Sequence, residues 1–137
     1  MDELVRWLGE QLDVDEQVAL DTFDIGARAG IRRGAPVPRW VYEADGAIRA
    51  EAGTAHVRFT WPDSAAHIVQ HDPARVLREI NAKRQILAEY EQAARYSGTT
   101  WGQSNVHQAR ARALGKVVRL HALVYADRPG YREEWRP

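Results

Sequence analysis

Asp72-Pro73 sets a boundary that constrains everything around it, because in a stretch of helical period it stops one helix and starts the next. Residues preceding a proline are pushed out of the α region, so the helix before it ends near His71. Asp72 offers a side-chain oxygen to the first turn of the following helix, and Pro73 suits the first helical position, where no amide hydrogen is needed. Beyond it Val76, Leu77, Ile80, Leu87 and Tyr90 form one apolar stripe, with Arg75, Arg78, Glu79 and Lys83 mostly off it. Ser97 and Gly98 are expected to end the run. A helix from Pro73 to Tyr96 would be about 36 Å long at about 1.5 Å per residue, enough to cross a small domain. A shorter helix precedes it, capped by Asp63 and carrying Ala65, Ala66, Ile68 and Val69.

The flanking segments supply the rest of an α+β domain. A first helix spans about residues 1–25, with Leu4, Leu8, Leu12, Ala19 and Phe23 on one face and Trp7 beside it; a weak turn is expected at Asp15 and Glu16. From Gly26 to Arg39 three glycines and two prolines interrupt the pattern, which predicts a loop or a frayed helix end. Residues 39–61 then change to an alternating period. Asp45-Gly46 suits a two-residue type I′ turn between strands, and His56 to Trp61 follows Gly53-Thr54 as a third strand. A final helix is expected over 105–125, with Val106, Ala109, Ala113, Val117, Leu120 and Val124 spaced by three and four, after a loop containing Trp101. The tail, 126–137, opens with a Pro-Gly turn, and Tyr131 and Trp135 are expected to dock on the body. The sum is a single domain: three main helices (N-terminal, long central and C-terminal) packed with a small antiparallel sheet of two or three strands.

Composition narrows function by exclusion. The 137 residues contain no cysteine, which removes disulfides, thiolate nucleophiles and cysteine-based metal sites. No segment approaches the length of a membrane span, and the start lacks the basic and apolar regions of a secretory signal, so a cytoplasmic protein with no membrane partner is expected. Neither GxGxxG nor GxxxxGK[ST] is present, and no Gly-x-Ser-x-Gly elbow holds a nucleophile. Carboxylate pairs such as Glu89 with Glu91 lie in charged contexts with nothing to raise a pKa.

Two constellations remain. His67, His71 and Asp72 place two imidazoles four residues apart, with a carboxylate beside them, which suits a metal-dependent hydrolase. The glutamate of HExxH is missing, and Asp72 already has a use as a cap. His71-Asp72 also evokes the doublet of metal-dependent phosphohydrolases, with His56 and Asp127 as outlying ligands. The other constellation is basic. Net charge is zero overall, yet residues 1–25 hold eight acids against Arg6 alone, leaving +7 on the remainder. The last helix bears Arg110, Arg112, Lys116 and Arg119 and no acid, which points to phosphate contacts in a nucleic-acid-binding protein. Arg110 and Arg112, two apart, do not share a face.

The strings MDELVRWLGEQLDVDEQ, HIVQHDPARVLREINAKRQIL and ALVYADRPGYREEWRP resemble the actinobacterial proteins grouped as domain of unknown function 6221, which also occur in actinophage and prophage contexts. The resemblance covers both ends and the middle of the chain. It implies common ancestry and carries no reaction, cofactor or catalytic residue. The expectation is therefore a small non-enzymatic binding or accessory protein without a cofactor, acting on a macromolecular partner, foremost a protein. Nucleic acid and a second copy of the chain are the other candidates.

Overall fold

The computed structural model describes residues 1–50, 55–58, 60–96 and 104–137. The elements are α1 (Asp2–Asp21), α2 (Ile25–Arg32), β1 (Trp40–Tyr42), β2 (Ile48–Ala50), β3 (Ala55–Val57), α3 (Pro62–Gln70), α4 (Pro73–Tyr96) and α5 (Ser104–Ala122). Two single 3-10 turns, Leu123–Tyr125 and Glu133–Trp135, complete them. The expected Gly53-Thr54 turn, the Ser97-Gly98 stop, the Trp101 loop and Phe59 of the third strand lie outside the described residues. The fold is α+β, as expected. Contacts divide the chain into two compact units, Met1–Val14 with Ile80–Pro137, and Asp15–Glu79.

In the first unit, Leu4, Leu8 and Leu12 of α1 are fully buried, one helical turn apart, joined by Ile80, Leu87, Tyr90 and Ala93 of α4. The central helix is unbroken over its 24 residues, and the apolar stripe read from the sequence is the face it buries. For α5 the expected inward face is wrong. Val106, Leu120 and Val124 are exposed, while Gly115, Val118 and Ala122 turn inward. The reason is steric: a β-carbon on Gly115 would stand 3.3 Å from Cε2 of Tyr90, so the face that carries the glycine is the one that admits the ring.

The tail docks as expected. Tyr131 donates its amide hydrogen to the carbonyl of Arg128 at 3.3 Å, closing a turn with Pro129 second and Gly130 third. Gly130 has φ +86, the left-handed value that this turn position requires. Beyond it the rings of Tyr131 and Trp135 lie 5.7 and 5.3 Å from that of Trp7.

In the second unit the segment from Gly26 to Arg39, expected as a loop or a frayed helix end, is helical as far as Arg32 in α2 and irregular from Arg33 to Arg39. Asp24 caps α2 by accepting from the Ala27 amide at 2.8 Å, and Arg28 donates back to the Phe23 carbonyl at 2.9 Å. These bonds offset the roughly 1 kcal/mol that each helical glycine costs relative to alanine. Ile31 of α2, with Val37 and Val76, packs on Ala19, Leu20 and Leu77. No turn interrupts α1 at Asp15 and Glu16.

The sheet has the order β1-β2-β3, all antiparallel. Its first connection is not the two-residue turn expected. Glu43 and Ala47 close the hairpin through a 2.9 Å backbone bond, and Gly46, φ 81, accommodates a three-residue loop. Gly46 donates to the Glu43 carbonyl at 3.0 Å, a type I turn followed by a left-handed residue. Trp40 pairs with Ala50 across the ladder, and its indole stacks on the His56 imidazole at 4.6 Å.

Candidate functional site

The carboxylate at the helix boundary is the most buried polar group described. Asp72 is 0% exposed. One of its oxygens accepts from the Arg75 amide at 2.8 Å, and the other accepts from Arg39 Nε at 2.8 Å and the Trp40 amide at 3.2 Å. Burial alone pushes the carboxyl upward. The Arg75 amide, the Arg39 guanidinium and the Trp40 amide together outweigh it and hold the group below its ordinary value of 3.8. Asp72 is thus an ionised cap joining the first turn of α4 to the entry of β1, and both oxygens are occupied by the protein itself.

His67 and His71 do come together, their ring centroids 4.4 Å apart and both side chains exposed. Nδ1 of His71 lies 2.9 Å from the His67 carbonyl oxygen. A carbonyl only accepts, so Nδ1 is the donor of this contact and the lone pair of the neutral ring lies on Nε2. Among the described residues no group of three His, Asp or Glu side chains is placed to hold a metal ion. His56 is engaged with Trp40. His121 is half-buried, and burial, with the neighbouring Lys83 charge, lowers its pKa below 6.5.

The cations of α5 separate by face. Arg110 forms an ion pair with Glu89 of α4 and stands apart from the others. Arg112, Lys116 and Arg119, at steps of four and three, line one groove of about 550 Å³. Arg136 of the tail joins them there, and Tyr90 and Gly115 are also in the lining. Among the described residues no aspartate or glutamate lines this groove. At about 1.5 Å per residue the three helical cations extend over about 10 Å.

Neutralisation within the groove is partial. Arg119 donates from Nη1 to the Glu134 backbone carbonyl at 2.9 Å, which orients its guanidinium and leaves four N–H donors. Arg136 is paired with Glu133. Arg112 and Lys116 are exposed, and neither forms an ion pair with another described residue. Acids of α1 engage other arginines: Asp13 pairs with Arg84 at 2.6 Å, and Glu3 pairs with Arg132. A second, larger groove of about 770 Å³ differs in character, since Asp2 and Glu91 stand among its arginines.

A family model described as a family of unknown function (DUF6221) matches residues 1–137. The chain belongs to that family. No curated protein and no solved structure matches it. Membership in DUF6221 therefore leaves the groove and the Asp72 cap to be read from their own chemistry. Among the described residues no helix is long and apolar enough to cross a membrane.

Arg136 is the groove residue that sequence reading missed. Its placement depends on the tail returning to α5, through a bond between residues 119 and 134, for which the sequence holds no local signal.

Proposed function

We propose that this chain is a non-enzymatic binding protein, an accessory factor of actinobacterial or phage origin that acts in the cytoplasm by contact with another macromolecule. The observation that supports this reading is the α5 groove, where Arg112 and Lys116 are exposed beside Arg119 and Arg136 and no aspartate or glutamate stands among the described lining residues. Exposed cations held at fixed spacing attract an anionic partner and orient it during encounter. The carboxylate best placed for chemistry, Asp72, serves the fold instead.

A pull-down with the wild-type chain and with Arg112→Glu/Lys116→Glu tests the proposal. Wild type retains a macromolecule and the variant does not. Retention of nothing by wild type, with turnover of a metabolite by the purified protein, overturns it. Self-association is the second reading. It is favoured by Leu120 and Val124, four residues apart and 48% and 65% exposed, and sedimentation of a Leu120→Glu variant against wild type decides it.

A further inference from the structure

We infer that the α5 groove takes the phosphodiester backbone of a nucleic acid, without reading its sequence. This rests on the binding reading above and names the partner's chemistry. A single phosphate requires donors converging on one point, whereas Arg112, Lys116 and Arg119 are strung along one helix face. Their reach of about 10 Å matches about three phosphate intervals at about 3.4 Å per nucleotide along a strand. The Arg119 guanidinium, oriented by the Glu134 carbonyl, keeps donors for the forked contact that phosphate oxygens accept.

Two features favour nucleic acid over an acidic protein. Protein interfaces centre on exposed aromatic anchors and are depleted in lysine at their core. Here the lining aromatic, Tyr90, is 8% exposed and belongs to the core, while Arg112, Lys116 and Arg136 are exposed beside Met1. Base-specific recognition needs side chains that reach base edges as well as phosphates. The groove supplies long flexible cations and no exposed amide side chain, so affinity comes from the backbone term and follows salt.

Fluorescence anisotropy with a labelled single strand of about 20 nucleotides, and with its duplex, tests this directly. With three to four phosphate contacts, the slope of log affinity against log salt is about −3 to −4 on duplex and about −2 to −3 on single strand. Affinity for duplex accordingly falls about 100-fold between about 50 and 200 mM salt. Lys116→Gln reduces the slope by about one. Arg112→Glu/Lys116→Glu abolishes binding at low salt while its circular dichroism melt stays like that of wild type. Arg32→Glu/Arg33→Glu, an equal charge change at the C-terminal end of α2, leaves affinity within about twofold. The relative affinity of the two probes at one salt concentration tells which form of nucleic acid is held.

Absence of any anisotropy change at low salt on both probes overturns the inference, as does binding that the double variant retains. If the pull-down still yields a protein partner lost in the same variant, the nucleic-acid assignment falls and the broader binding reading stands. If it yields nothing and the purified protein turns over a metabolite, both fall.

Discussion

A β-carbon placed on Gly130 would stand 2.8 Å from Nε1 of Trp7, the same nitrogen that donates to the Pro129 carbonyl at 3.1 Å. The tail therefore lies against the first helix with no room for a side chain at the turn. Gly130→Ala would combine a left-handed backbone with a displaced indole, and a loss of about 2–3 kcal/mol is expected. Urea denaturation checks this. Pro129→Ala, which keeps the carbonyl and the glycine, should lose under about 1 kcal/mol in the same assay.

Asp72 gives a second prediction. Replacing it with alanine removes the cap of α4 and leaves the Trp40 and Arg75 amides without their acceptor, for an expected loss of about 3 kcal/mol. Because the folded carboxyl is held below 3.8, its stabilisation is complete above that value and is lost as pH falls through the folded value. Asp72→Asn retains one acceptor oxygen and should lose about 1–2 kcal/mol at neutral pH. Its stability should lack the wild-type decline below pH 3.8. Urea midpoints across the acid range distinguish the two.

His121 should act in a separate window. Burial and Lys83 depress its folded pKa below 6.5, so the unfolded chain takes up the proton first. Stability is fully present above 6.5 and declines as pH drops from there toward the folded value. His121→Gln should flatten that part of the profile. Lys83→Met, which removes the neighbouring charge, should narrow the window without abolishing it.

Gly9 offers a gain. It lies inside α1, and a β-carbon there would meet nothing within 4 Å. Gly9→Ala should stabilise the chain by about 1 kcal/mol through helix propensity alone. A thermal melt that moves downward would contradict this.

How far the sequence revealed these features depended on whether the deciding force was local. The α3-α4 boundary was legible because Asp72 and Pro73 act through adjacent backbone, and the buried face of α4 because its stripe is dense. α2 was hidden by Gly26 and Gly30, whose propensity penalty is visible, whereas the bond from Arg28 to the Phe23 carbonyl is not. Asp45-Gly46 fits both a two- and a three-residue loop. The Tyr42 to Ile48 pairing chose between them, and it is a property of the ladder. The inward face of α5 turned on Gly115, which carries no hydrophobic signal and matters only because Tyr90 meets it. The cations of the groove were likewise evident in composition, and their spacing already set Arg110 apart from Arg112; that Arg112, Lys116 and Arg119 line a groove with Arg136 followed from the docked tail.

The shared carboxylate of Asp72 also ties the motions of distant segments. The Trp40 amide at the entry of β1 and the Arg75 amide in the first turn of α4 are held by two oxygens of one side chain. Withdrawal of that side chain frees both at once, so strand and helix cannot fray independently there. In hydrogen exchange, amides 35 positions apart in the sequence should therefore report a single opening event, with the same protection and the same denaturant dependence.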